Sequence, residues 1–177
     1  MKTKFLLIVT LFCFICSNAQ DDDVKVKILL DQANEMGKKF VARDYAGFLK
    51  YAHPATIKAM RGEKEALRKM NEQMADIVEE GIIITDVNFG TPTKIITVDT
   101  ELQCTLPQII TMEIPDGKVT ATTTVIAISR DNGKNWYFLD TANYNFQDMR
   151  MLLPNLSDQI VIPERSEPAF EPHKKAD

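Results

Sequence analysis

Few side chains in this chain could do acid–base chemistry. There are two histidines in 177 residues, and only His53 lies away from the charged end, since His173 is near the C-terminus. A pocket reaction would need His53 as acid or base, a carboxylate such as Asp140, and a hydrogen-bond donor such as Tyr45. No spacing ties these three together. His53 stands before Pro54, where a capping or hydrogen-bonded imidazole is the simpler reading. Asp140 follows an aromatic strand and can cap the turn that begins at Thr141; as a buried pocket carboxylate it would have a raised pKa. Cys104 falls on the apolar parity of a strand, which makes it a buried, unreactive thiol. A lone histidine and a lone cysteine do not make a zinc site, and no metal ligand set is expected.

Other motifs resolve into structure. Cys13-Phe-Ile-Cys16 has redox spacing but sits inside an apolar leader. Asp21-Asp22-Asp23 reads as a solvated, dipole-favoured helix start rather than a metal cluster. Asn155-Leu-Ser157 matches a glycosylation sequon, which matters only in a eukaryotic secretory pathway. P-loop, dinucleotide, H-E-x-x-H and G-x-S-x-G motifs are absent. Ser129-Arg-Asp-Asn-Gly-Lys-Asn-Trp136 resembles the Asp-box of sialidases. There the motif is a hairpin element away from catalysis. The residues support that reading: Asp131 can bond turn amides, Gly133 supplies positive φ and Trp136 buries its ring.

The elements that must position these residues follow a coarse order. Met1-Lys-Thr-Lys4, the apolar run Phe5 to Ile15 and the small residues Ser17 and Ala19 form the three parts of a secretory signal peptide. Residues 1–19 are read as that signal, 20–153 as one α+β domain and 154–177 as an extended or disordered tail. The expected location is periplasmic or extracellular, with no membrane insertion after cleavage. The whole chain carries 21 basic and 25 acidic residues. Loss of Lys2 and Lys4 leaves 19 basic residues and a net charge of -6. Such a chain has no electrostatic basis for gripping nucleic acid. Loss of Cys13 and Cys16 leaves Cys104 alone, so no intrachain disulfide can form.

Leu29, Ala33, Met36 and Phe40 mark one helix face. Asp44 opens a short helix that Pro54 terminates. Leu67, Met70, Met74 and Ile77 mark a core-facing stripe on a helix from 62 to 80, with Glu65 and Lys69 paired along it and Gly81 just past its end. The period then changes to two. Strands are expected over 82–89, 94–98, 101–114, 119–129 and 135–139, with Pro107 at a bulge or edge, and a short helix over 145–153. The 101–114 strand has one apolar and one polar parity, as a two-layer protein would. Its successors are apolar on both sides: Val125 and Ala127 against Ile126 and Ile128, then Trp136 and Phe138 against Tyr137 and Leu139. Strands of that kind are covered on both faces. The tail segment Ile160-Val-Ile-Pro163, reaching toward Phe170, is expected to cover part of the second face, and a homodimer the rest.

Element order, Phe40-Val-Ala-Arg-Asp-Tyr-Ala-Gly-Phe-Leu49 with His53-Pro54, and the terminal Trp136-Tyr-Phe-Leu-Asp140 together resemble the nuclear-transport-factor-2-like (cystatin-like, SnoaL-like) superfamily over about residues 22–153. The resemblance implies a curved antiparallel sheet wrapped around N-terminal helices as a cone. It also implies a pocket lined by both layers, with Tyr45, Phe48, His53, Trp136 and Asp140 as its candidates. Family members include isomerases, dehydratases and many non-catalytic modules. The isomerase constellation does not map onto a motif here, and dehydratase-type pocket histidines are reduced to His53. The expected function is therefore non-catalytic binding of a small molecule or protein, with no cofactor and no assigned catalytic residue. A lyase or isomerase acting on a small apolar substrate and a structural dimerisation module are the alternatives.

Overall fold

The computed structural model describes residues 2–142 and 144–173, with side chains from Asp21 onward. The expected signal segment and the last four residues of the tail thus lie outside the residues described in full. Among the described residues the elements run α1 (Lys2–Val41), α2 (Tyr45–Leu49), α3 (Pro54–Ala59), α4 (Glu63–Glu79), β1 (Ile83–Phe89), β2 (Ile96–Val98), β3 (Glu101–Ile114), β4 (Gly117–Ser129), β5 (Tyr137–Asp140), α5 (Phe146–Leu152) and β6 (Ala169–Pro172). The fold is α+β: N-terminal helices precede an open, six-stranded antiparallel sheet. No described helix is long and apolar enough to cross a membrane.

Four local expectations change. The aspartates expected to cap a helix lie within α1, because its ladder runs on from the preceding apolar run; Asp21 pairs with Lys25 instead. Pro54 does not merely stop a helix. It sits in the first turn of α3, where its missing N–H is no loss, and His53 is the N-cap. The α4 stripe is half-buried rather than core, and Ala66 is that helix's one buried residue. Along α4, Glu65 bonds Arg68, not Lys69, and Arg68 also reaches Glu72.

β3 is the backbone of the sheet. It pairs with β4 from Leu102 to Ile114, and on its other side with β2 and then β1. Pro107 lies in this interior strand, not on a sheet edge. It is tolerated because β1 ends at Phe89 and β2 begins only at Ile96, leaving a local gap on that flank. There the Pro107 carbonyl still takes the Gly90 N–H at 2.9 Å.

The sheet is covered on both faces. On one, Leu29, Ala33 and Met36 of α1 pack on Leu102, Cys104, Leu106, Val125, Ala127, Trp136 and Phe138. On the other, Ile126, Ile128 and Leu139 pack under Met149 of α5 and under Leu153, Leu156 and Ile160 of the tail. The tail thus covers part of the second face through Leu156, Ile160 and Ile162, whereas Val161 and Phe170, expected to share in that cover, are exposed. It differs from an extended or disordered end in one further respect: β6 joins the edge of β4.

The polar parity of β3 is not a solvated face. Glu101, Gln103 and Thr105 are buried under the tail. Gln103 Nε2 donates to the Asn155 carbonyl at 3.0 Å, and its Oε1 accepts from the Ser157 N–H at 3.0 Å. The side chains that looked like a water-facing edge are hydrogen-bond partners for backbone that has no ladder of its own.

The turn between β4 and β5 behaves as its residues predict. Asp131 accepts from the Ser129 hydroxyl and from the Asn135 N–H, each at 2.9 Å. The Ser129 oxygen accepts from the Gly133 N–H, and the Trp136 indole donates to the Gly133 carbonyl. Gly133 sits at φ 84°, and a Cβ there would stand 2.7 Å from Lys25 Cγ of α1.

Candidate functional site

The five candidate residues are not gathered in one pocket. Trp136 is 1% exposed and Phe138 beside it is 4% exposed, both in the cluster that fills the space between α1 and the sheet. Phe48 packs against that cluster and against Phe40. Tyr45 is buried at a surface groove of about 420 Å³ that it lines with Met74 and Val78. Asp140 is exposed at the end of β5 and accepts the Ala142 N–H at 2.6 Å, the turn-capping role. Crowding at this surface raises its carboxyl above the ordinary value, while that N–H and Arg165 oppose the rise. His53 lies elsewhere again, with Arg130 and Glu101 as its electrostatic neighbours.

His53, like Tyr45, is buried and lines a recess, and its recess is the more polar in its surroundings, with Glu101 and Arg130 beside it. The His53 residue is 2% exposed. The backbone fixes it twice: the His53 N–H donates to the Phe138 carbonyl at 3.1 Å, and Nδ1 accepts from the Ala55 N–H at 3.2 Å. An Nδ1 that accepts is unprotonated, so the neutral ring carries its proton on Nε2. Among the described residues that nitrogen is buried with no hydrogen-bond partner, and so is the Thr56 hydroxyl one turn on. Burial, with help from the Arg130 charge and against the pull of Glu101, lowers the imidazole pKa to about 4. The ring is neutral at neutral pH.

The recess measures about 200 Å³ and is lined by His53, Ala55, Glu101, Arg130 and the chain from Leu152 to Asn155. Its polar floor is the Glu101–Arg130 ion pair at 2.7 Å. Glu101, only 8% exposed, uses its other oxygen to accept from Gln103 Nε2 at 3.2 Å. Arg130 reaches it from a half-exposed position, so the pair stands at a dielectric boundary and contributes about 1 kcal/mol at most. The lid is apolar: Leu152, Leu153 and Pro154 at the end of α5. Four separate pieces of chain converge here, the start of α3, the start of β3, the end of β4 and the exit of α5.

This convergence explains why Glu101, Arg130 and Asn155 escape a reading by spacing. Glu101 carries a signal, its place on the polar parity of β3, but that parity is read as solvated. Arg130 is hidden inside the turn motif, whose other residues have full structural roles. Cys104 is fully buried, and burial pushes its thiol up to about 12. It is inert, as its strand parity predicts. Among the described residues no cluster of histidine, cysteine and carboxylate side chains could hold a metal ion.

The arrangement offers a neutral hydrogen-bond donor, an exposed guanidinium and an apolar wall. It does not offer a strong base, since an imidazole with a pKa near 4 takes a proton poorly at neutral pH. Compared with protein-family models, with curated proteins and with solved structures, the chain matches none.

Proposed function

We propose that this chain is an exported, non-catalytic binding domain on a nuclear-transport-factor-2-like plan, and that it holds a small ligand at the His53 recess. One observation carries the reading. His53 lines the recess, and among the described residues its buried Nε2–H has no hydrogen-bond partner; a buried donor left unpaired costs about 1–3 kcal/mol. A ligand that presents a hydrogen-bond acceptor to His53 and a short apolar group to Leu152, Leu153 and Pro154 regains that cost on binding.

The enzyme alternative draws no comparable support. Tyr45 and Asp140 lie in other surroundings, and neither shares a hydrogen bond with His53. The space between α1 and the sheet is occupied by Trp136 and its neighbours, which supports a site outside the expected cone interior. Export rests on the three-part leader alone, and the mature protein is expected to begin at Gln20.

The test is a titration of the protein with small acceptor-bearing probes: acetate, butyrate and propionamide. Nitrogen-15 NMR of the histidine side chains is the readout. A saturable shift of the His53 Nε2 resonance that the His173 resonance does not share supports the site. A resonance unmoved by every probe, with a long-lived water contact on Nε2, sinks it: the donor is then satisfied by one ordered water and the recess is structural.

A further inference from the structure

The polar groups at the His53 recess differ in what they have left to offer a ligand. Glu101 is an acceptor, but both of its carboxylate oxygens are engaged. One accepts from Arg130 Nε at 2.7 Å and the other from Gln103 Nε2 at 3.2 Å. Arg130 uses only Nε in that contact. Among the described residues its two amino groups, Nη1 and Nη2, have no partner. His53 adds a further donor: its Nδ1 is taken by the Ala55 N–H, so the neutral ring has Nε2–H to give and no acceptor. Asn155, exposed at the rim, is the one lining side chain that offers both a donor and an acceptor.

The charges favour the same sign of ligand. The Glu101–Arg130 pair is neutral as a whole, but its two members are unequally placed. The Glu101 side chain is 11% exposed and that of Arg130 is 56% exposed. A ligand entering from solvent therefore meets the guanidinium, while the carboxylate lies behind it with its oxygens occupied.

Unused donors without matching acceptors select for a group that only accepts. A carboxylate is such a group, with two oxygens and a negative charge. Its bonds to a guanidinium are charge-assisted and about twice as strong as neutral ones. A carboxamide of the same shape has one acceptor oxygen, and its NH2 group meets donors at His53 and Arg130. The recess, at about 200 Å³, is smaller than the ~300–1,000 Å³ of sites for drug-sized ligands. The rest of the molecule is then a short aliphatic chain, which suits the apolar wall of Leu152, Leu153 and Pro154.

We propose that the His53 recess is a site for short-chain monocarboxylates, in which Arg130 selects the carboxylate over its neutral amide. One carboxylate oxygen takes the His53 Nε2–H, the other takes the free N–H groups of Arg130, and the chain lies on the apolar wall. The proposal rests on the reading of this recess as a ligand site and adds to it the class of ligand and the residue that sets that class.

The experiment compares butyrate with butyramide, which differ in charge and in one donor group but little in shape. Calorimetry and the nitrogen-15 resonance of His53 follow binding at neutral pH. The expected result is that butyrate binds roughly tenfold more tightly than butyramide. Added salt should weaken butyrate binding and leave butyramide binding unchanged. Arg130→Gln should bring the two affinities within about twofold of each other. That substitution leaves Glu101 without its ion-pair partner, so the double variant Glu101→Gln/Arg130→Gln is measured beside it and should also show no preference. Butyramide binding as tightly as butyrate to the unaltered protein overturns the carboxylate class, although the recess then stands as a ligand site. A preference for butyrate that persists in both variants overturns the role of Arg130. If neither probe binds the unaltered protein, the ligand reading of the recess fails, and the proposal falls with it.

Discussion

Two glutamines on opposite faces of the sheet do the same job in different company. Gln103 points from β3 toward the tail, donates to the Asn155 carbonyl and accepts from the Ser157 N–H. Gln32 points from α1 toward the β4–β5 turn, donates to the Lys134 carbonyl at 2.8 Å and accepts from the Trp136 N–H at 2.8 Å. Each amide spans a carbonyl and the N–H two residues on, as a neighbouring strand would. Gln103 is fully buried, whereas Gln32 is half-buried. The difference follows from what covers each face. A helix satisfies its own backbone and needs only an apolar stripe below it, so α1 meets Leu102, Cys104 and Leu106 and Gln32 works at the margin. An irregular tail brings bare N–H and C=O groups over the sheet, so the sheet must supply polar side chains in the interior. Gln103 and Thr105 are that supply.

The largest test of the comparison is to remove the irregular cover. Truncation after Asn155 takes away Leu156 and Ile160, which cover Ile126, Ile128 and Leu139. Two such buried aliphatic residues are worth about 3–6 kcal/mol between them, so the expected loss is about 4 kcal/mol, with apolar surface exposed. Denaturant unfolding measures it. A truncated protein as stable as the full chain would mean that the second face needs no cover, and the contrast between the faces would dissolve.

Acid should loosen the tail face by up to about 3 kcal/mol, because His53 sits on that side. Its folded pKa is about 4, against 6.5 for the free side chain. The folded state resists the proton that the unfolded chain accepts. The contribution is therefore complete above about pH 6.5 and is lost as the pH falls toward 4. His53→Asn keeps the cap on α3, since asparagine caps well, but cannot titrate. Stability measured between pH 7 and 4 should fall less steeply in the variant. Equal slopes would show that His53 is not buried neutral.

Gln103→Leu comes next, at about 2 kcal/mol. The substitution roughly conserves volume and adds apolar character, so a site that needed only filling would tolerate it. Here it strips the Asn155 carbonyl and the Ser157 N–H of their partners, and a buried unpaired group costs about 1–3 kcal/mol. Unchanged stability would show that water reaches the tail backbone at this point.

The same two faces explain what could be read ahead of the structure. The α1 stripe and the limits of β3 are legible because each has one strong period, and a helix or strand is the only way to use it. The need for a second cover is legible from Ile126, Ile128 and Leu139, which oppose Val125, Ala127 and Phe138. The burial of Gln103 and Glu101 is not legible, because a polar parity looks the same whether it faces water or a bare backbone. The α3 helix is missed because Pro54 carries two opposite meanings, a stop for the preceding turn and a start for the next. The recess is missed because residues 53, 101, 130 and 155 meet only through tertiary packing. That convergence has no period and no spacing.

The smallest effect is the sharpest control on the comparison. Gln32→Leu removes the same pair of backbone bonds as Gln103→Leu, but from the helix face. Lys134 is exposed, so water can replace the lost donor there at little cost. The Trp136 N–H is less accessible and bears most of the penalty. The expected loss is about 1 kcal/mol, near half that of Gln103→Leu, because one group rather than two is left without a partner. Urea unfolding of the two variants side by side, at equal slope, reads the difference directly. If the two losses are equal, the depth of the tail face adds nothing, and the two glutamines are simply alike. If Gln32→Leu is the costlier, the α1–turn contact, not the tail, is the seam on which the sheet depends.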